Sequence, residues 1–353
     1  MKKDAKNFLV QLVEAHGSPG YELGVQKIFR ERVKGCDKVE TDVLGSVIAA
    51  VHPEGSPRLL FDGHSDEIGF LVHYIDDCGF LYVQPSGGWD TEVVVSQRVL
   101  VHTRDGAVTG VFGKKAVHLM DQDERNKKSE LHQMWIDIGA KDGEQARQRV
   151  AIGDFVTMDA RFVEVMEGKA VAKSFDNRGG IFVVAETLRS LTRHKPTAAV
   201  FGVSAVQEEI GLRGAQAAAY AVHPQIGIAV DVTHATDHPD ANKKKAGDIK
   251  LGGGPVICRG PNINPKVHDR LVEVARQESI PYQLEADPRG TGTDANPIQL
   301  TRGGVAAGLV SIPLRYMHNP CEMAALSDLD NTVRLLTAFA LSVTEQDNWI
   351  PGL

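Results

Sequence analysis

The chain has 353 residues, is 42% hydrophobic and carries a formal net charge of -7. That length and apolar content suffice for a large core, either in two domains or in one domain bearing an insertion. The acidic balance supplies no general basic field for nucleic acid or anionic lipid, so neither is expected as a partner.

The opening stretch MKKDAKNFLVQLVEAHG is predicted to be an amphipathic helix, because Phe8, Leu9, Leu12 and Val13 recur at helical spacing among charges. It contains no signal-peptide core, and no apolar run is long enough to span a bilayer. Cys36, Cys78, Cys258 and Cys321 lie far apart with no paired spacing, which fits reduced thiols and a cytoplasmic location.

After the turn GSPGYE, LGVQKIFRERVKG reads as a second helix and KVETDVLGSVIAAVHP as strands. RLLFDGHSDEIGFLVHYI then runs an apolar strand into a polar break at Gly63-His64-Ser65-Asp66. From Gly69 to Thr157 the pattern is short alternating runs such as GFLYVQPSGG, RVLVHTRDGAVTGVFG and WIDIGA, which predicts a small β-barrel. DQDERNKKSE, residues 121–130, reads as a solvated loop of that insertion.

Beyond AKSFDNRGG, helix and strand alternate. NRGGIFVVAETLRSLTR is predicted helical, TAAVFGVSAV a buried strand, LRGAQAAAYAV a helix and QIGIAVDVTHA a strand. NKKKAGD, residues 242–248, reads as an exposed turn, PKVHDRLVEVARQESI as a helix and VAAGLVSIPLRYMH as a strand. SDLDNTVRLLTAFALSVTEQ closes the chain as a helix with Ser327 placed to cap it. The expected fold is α/β: a mixed sheet with helices on both faces, built from residues 1–68 and 158–353 and interrupted by a β-barrel over 69–157.

Potential metal ligands fall in one kind of place. His64 follows RLLFDG, Glu208 and Glu209 follow AAVFGVSAVQ, Asp231 ends IGIAV, and His318 follows LVSIPLRYM. Each is expected at the C-terminal end of a strand, the edge at which open α/β sheets bind ligands. Asp176 in SFDNRGG precedes a helix, so its carboxylate would project from a loop into the same crevice. Two ions about 3.5–4 Å apart need such a set, with one carboxylate shared and a histidine plus a carboxylate for each. Asp176 would be the bridge, with His64 and Asp231 on one ion and Glu209 and His318 on the other. Ligation by imidazole and carboxylate without cysteine suits zinc, cobalt or manganese.

Each residue also has an ordinary reading. A histidine after a strand is commonly a turn or core residue, an acidic pair at a helix start a dipole-favoured cap, Asp231 an Asx turn and Asp176 a helix cap. Their coincidence at several strand ends favours the metal centre.

The segments GHSDEIGF, SFDNRGG, SAVQEEIGLRGA, AVDVTHATDHP, GTGTDA and SIPLRYMHNPCEM occur in the order found in the TET-type metallo-aminopeptidases, and the chain resembles that family over nearly its whole length. The family contains glutamyl, leucyl, lysyl and deblocking aminopeptidases, and some members have been labelled endoglucanases. The resemblance implies a zinc-exopeptidase-like catalytic domain and two divalent ions per subunit, zinc or cobalt before manganese. It implies His64, Asp176, Glu209, Asp231 and His318 as their ligands. Asp66 would orient His64, and Glu208 would be the general base that activates a water held between the ions. It further implies that the barrel is a dimerisation domain, that twelve subunits enclose the active sites, and that the substrates are peptides with a free N-terminus.

Phe175, Asn296 and Pro297 depart from the small residues common in the family, and are expected to shape the substrate pocket. Cys321 is expected to be a buried structural thiol, and His234 and His238 are candidates for donors to Asp231. Three other readings of function remain: an N-acyl amino-acid or small-peptide amidohydrolase with the same centre, a glycosidase using two carboxylates across a sugar cleft, and a non-catalytic assembly protein.

Overall fold

The computed structural model describes residues 1–352. Helices α1 (Lys3–Glu14) and α2 (Leu23–Arg32) precede strands β1 (Lys38–Thr41), β2 (Val47–Val51) and β3 (Arg58–His64). The chain then enters a closed barrel of β4 (Gly69–Ile75), β5 (Leu81–Ser86), β6 (Arg98–Thr103), β7 (Gly106–Lys114), β8 (Met134–Asp137) and β9 (Phe155–Met158). Two short helices interrupt its loops, α3 (Gln122–Arg125) and α4 (Gly143–Arg149). The first gives the exposed 121–130 segment one turn of helix, closed by a reciprocal cap between Asp121 and Glu124.

Strands β10 (Val163–Glu164) and β11 (Lys169–Ala172) lead back to α5 (Phe175–His194), β12 (Ala199–Ala205), α6 (Arg213–Val222) and β13 (Ile226–His234). There follow α7 (Lys243–Ala246), β14 (Val256–Arg259), α8 (Pro265–Gln277), β15 (Gln283–Ala286), α9 (Ala295–Leu300) and β16 (Ala306–Arg315). The chain finishes with β17 (Glu322–Ala325) and α10 (Leu326–Ser342).

The large sheet has the order β1-β2-β12-β3-β13-β16-β17-β11-β10, with β14 joined to β16 and carrying β15. Its centre, β12, β3, β13 and β16, is parallel, and its flanks are antiparallel. Within β3, Leu59 and Phe61 enter the core beneath α1, α2, α5, α8 and α10, while Leu60 enters the core beneath α6 and α9. Side chains alternate across the sheet, so an apolar run without polar interruption is what a strand covered on both faces requires. The barrel has its own core of Phe70, Val72, Leu81, Val99, Val101, Phe112, Ile136 and Val156.

The register explains the crevice. β12 stays paired with β3 through Ala205 opposite His64, and β13 stays paired with β16 through His234 opposite Leu314. Pairing between β3 and β13 stops at Asp62 opposite Ala229. The two strands part where β12 lies on one side of β3 and β13 on the other, a switch point of the kind that opens a binding cleft. The start of α5 closes its base: Asn177 Nδ2 donates to Val230 O at 2.8 Å, and Gly180 N donates to Asn177 Oδ1 at 3.0 Å. A Cβ on Gly180 would collide with the Asn177 side chain and the Val230 carbonyl, so only glycine lets the helix approach this closely.

Three expectations are corrected. Ser327 does not cap the last helix, because β17 runs through Ala325 directly into it and leaves no loop. The neighbouring Asp328 instead accepts from Gly252 N at 2.7 Å and Gly254 N at 2.9 Å. Asp231 lies within β13 rather than at its end, since pairing with β16 carries the strand on to His234. Cys321 is exposed, whereas the buried thiol is Cys258, and all four cysteines are unpaired. Among the described residues no helix is long and apolar enough to cross a membrane.

Candidate metal centre

His64 closes β3, Asp231 faces it from β13, Asp176 projects from the first turn of α5, and Glu208, Glu209 and His318 come from the loops after β12 and β16. The divergence of β3 from β13 lets these side chains meet. Asp176 turns one oxygen to each histidine: Oδ1 lies 3.2 Å from His64 Nε2 and Oδ2 lies 3.3 Å from His318 Nε2. Glu209 Oε1 is 3.5 Å from His318 Nε2, and Asp231 Oδ1 is 4.0 Å from His64 Nε2. Glu208 Oε2 is 3.8 Å from His64 Nε2. Two groups have donor atoms close enough to share an ion: His64, Asp176 and Glu209, and His64, Glu208 and Asp231. The five residues singled out as ligands are therefore brought together with Glu208, and distance alone also admits Glu208 beside an ion. The adjacent glutamates do not cap a helix, since α6 begins four residues beyond Glu209.

Buried carboxylates hold the backbone that presents them. Asp66 accepts from Glu208 N at 3.1 Å and Glu209 N at 3.0 Å, while its Oδ1 lies 3.5 Å from His64 Nδ1. Glu322 accepts from Asp176 N and His318 N, each at 3.0 Å. Sequence spacing did not single out Glu322, although its position four residues after His318 is the available signal.

Burial first, then repulsion from Asp231, Asp294 and Glu209, pushes Glu208 up to about 10. Burial and the nearby Asp176 likewise push Asp231 up to about 7. Hydrogen bonds to Asp176 and Glu209 raise His318 to about 11, and the Glu208 charge and Asp176 raise His64 against the opposing effect of burial. Without a cation, protons must neutralise Glu208, Glu209 and Asp231, and Asp176 keeps its charge only because two imidazoles carry theirs in a buried site. Divalent ions would remove both demands, so the donor set fits them, and an all-nitrogen and oxygen set fits zinc, cobalt or manganese. Behind His64, Asp62 and Asp294 are buried against each other, and burial raises both, so that a proton on one can be shared with the other.

A second buried network ties the residues flanking Asp176 in sequence to the loop after β3 and the end of α1. Lys173 Nζ donates to both oxygens of Glu67 at 2.7 Å and to Ala15 O at 2.8 Å, and Arg178 Nη2 donates to Gly17 O at 3.1 Å. Burial opposes the Glu67 charge, but Lys173 and Arg178 overcome it and hold the carboxyl down at about 2. Lys173→Met leaves that carboxylate short of a partner, and is expected to lower unfolding free energy by about 3–5 kcal/mol in a denaturant titration. Because the folded value lies below the ordinary 4.5, the Glu67 contribution is complete above 4.5 and is lost as pH falls toward 2.

The barrel supplies one wall. Gly87 and Gly88, just beyond β5, lie against Glu209 and the His318 ring, and Trp89 stacks on Phe70 with its Nε1 donating to Gly69 O at 3.0 Å. Phe175 is not in this wall, since it is buried in the core beneath α5. Asn296 accepts from Thr291 N at 3.2 Å and shapes the 290–294 loop. Neither His234 nor His238 donates to Asp231, whose Oδ1 accepts from Val232 N at 2.8 Å.

Comparison with known proteins bears on this geometry. The sequence pattern described as M42 glutamyl aminopeptidase matches residues 45–335. The chain belongs to this family. The M42 chain is 38% identical over 342 residues to a lysyl aminopeptidase of Pyrococcus furiosus, covering 96% of this chain and 97% of that protein. It is similar to the crystal structure of a TET aminopeptidase from a marine sediment archaeon, Thaumarchaeota archaeon, with a TM-score of 0.93, 34% identity and 96% of both chains covered. It is also similar to the Pyrococcus horikoshii TET1 peptidase, described as assembling into a tetrahedron or a large octahedral shell, with a TM-score of 0.86 and 29% identity. That likeness covers 96% of this chain and 100% of the other. The M42 chain is an aminopeptidase, a hydrolase acting on peptide bonds.

Proposed function

We propose that this aminopeptidase carries two divalent ions and removes the N-terminal residue from peptides. The observation that carries the reading is Asp176, whose two oxygens face two different imidazoles at 3.2 and 3.3 Å. His64 and Asp231 would hold one ion, Glu209 and His318 the other, and Asp176 would bridge them. Zinc or cobalt suits this set best, with manganese admitted.

The ions, when bound, lower the pKa of water and polarise the scissile carbonyl. Glu208 is the general base: its Oε2 takes the proton of the attacking water and returns it to the leaving amine. Asp66 keeps Glu208 and Glu209 apart in their tasks by fixing both backbone amides, so that one side chain ligates while the other faces the substrate. Glu322 does the same for Asp176 and His318. The carboxylates of the crevice, together with the wall from the barrel, would seat a free α-amino group and so restrict cleavage to the first residue.

Residues 1–68 and 158–353 form the catalytic domain in this reading, and 69–157 an inserted dimerisation domain. Exposed Tyr74, Val111, Val117 and Leu119 on the barrel and its loop support self-association there. The assembly reported for the Pyrococcus horikoshii relative supports a closed homo-oligomer, a dodecamer in this reading. Four unpaired cysteines support a reducing, cytoplasmic setting.

A peptide with a free N-terminus and its N-acetylated twin separate the readings. The free peptide is expected to be cleaved at least about 10²-fold faster, with activity lost to a chelator and restored by zinc or cobalt. Equal rates on the two peptides would make the protein an N-acyl amidohydrolase instead.

A further inference from the structure

The turn GSPGYE touches the site through a residue that the chemistry above does not use. Glu22, next to the start of α2, is 4% exposed, and its Oε1 accepts from Gly20 N at 2.8 Å and from Gln207 N at 3.0 Å. Gln207 immediately precedes the two glutamates and has a φ of +58°, a left-handed conformation that a glutamine adopts only when its surroundings hold it there. Glu22 and Asp66 therefore grip three successive amides, those of Gln207, Glu208 and Glu209.

One turn further along α2, Gln26 is also 4% exposed, and its Nε2 donates to Ser65 Oγ and Ser204 O, each at 2.8 Å. Ser65 Oγ in turn donates to Ala205 O at 2.6 Å. The first turn of α2 thus ties the end of β3, which carries His64 and Asp66, to the end of β12, which carries Glu208 and Glu209. The same turn reaches the barrel: Tyr21 stacks on Phe155 with ring centroids 4.5 Å apart and donates to Gly153 O at 3.1 Å.

We propose that Glu22 is a positioning residue for the aminopeptidase reaction, acting through the Gln207 amide to set where the Glu208 carboxylate stands. The inference rests on the reading of Glu208 as the base. Three amides held by two buried carboxylates leave the loop no freedom to rotate Glu208 away from the crevice. Misplacing a catalytic group by about 1 Å costs on the order of 10²-fold in rate. Burial and the Asp66 charge raise Glu22 to about 7, but a neutral carboxyl keeps its carbonyl oxygen, so the grip needs an acceptor rather than a charge.

Glu22→Gln retains the accepting oxygen and Glu22→Met fills the space without one. Glu22→Met is expected to lower kcat by about 10- to 100-fold with KM within about twofold and metal content unchanged. Hydrogen–deuterium exchange of the metal-free protein should quicken at the two places whose amides Glu22 holds, Gly20 and residues 206–211, and not elsewhere. Glu22→Gln is expected to restore kcat and protection together. Wild-type kcat in Glu22→Met, a glutamine variant as slow as the methionine one, or exchange quickened throughout the molecule would each overturn the proposal. If the methionine protein does not accumulate, Glu22→Ala is read against the same outcomes. Failure of the base assignment itself shows separately, as full turnover in Glu208→Gln, and leaves the exchange result at Gln207 intact.

Discussion

Glu208→Gln is expected to lower turnover by about 10²–10⁴-fold while both ions remain bound, measured by steady-state hydrolysis beside elemental analysis of the purified protein. The amide has nearly the volume of the carboxylate and keeps one acceptor oxygen, but cannot take a proton. Asp66 grips the backbone N–H of Glu208, so the exchange leaves the loop where it is. Glu209→Gln is the contrasting case, because Glu209 lies 3.5 Å from His318 Nε2 on the far side of the Asp176 carboxylate. It should lower metal content first, and activity in proportion. Since Glu208 also lies within reach of an ion beside His64 and Asp231, metal analysis decides between the two assignments. Metal loss in Glu208→Gln and full occupancy in Glu209→Gln would reverse them.

Much of this site was legible in the sequence because of where β-strands end. The apolar run Leu59–Phe61 reads as a strand covered on both faces, and the polar residues that end it, Asp62 and then His64, mark the sheet edge. The same reasoning placed Glu208, Glu209 and His318, and the alternation of Val99 and Val101 announced the barrel. Asp231 was legible as a candidate ligand but not as a mid-strand residue, because the pairing of β13 with β16 that carries the strand on to His234 is not encoded in any single segment. β14, β15 and β17 are four residues each, too short for periodicity to mark. The supporting carboxylates were hidden for a different reason. Glu22, Glu67 and Glu322 are common surface residues by type, and only tertiary packing reveals that each is buried against backbone amides or a lysine.

Asp176→Asn is expected to cost both ions at once. If Asp176 gives each of two ions one oxygen, an amide cannot replace it, because the amide nitrogen is a donor and would face one imidazole or the other. Removing a residue that merely supports a ligand lowers metal affinity by roughly 10–100-fold, and loss of a shared ligand should exceed that for both sites. Calorimetric titration with zinc or cobalt then shows no tight binding, and the metal-dependent rise in melting temperature disappears. Ligand at about 100 times its dissociation constant stabilises by about 2.7 kcal/mol, so that rise is measurable in the parent protein. The metal-free variant should itself melt lower than the metal-free parent, because, against the opposing effect of burial, His318 and His64 hold the Asp176 carboxyl well below its ordinary value and both imidazoles lose that partner in the amide. Retention of one tight ion would show that Asp176 serves a single site, and the bridge would have to be sought in Glu208 or Asp231, which share the His64 side of the crevice.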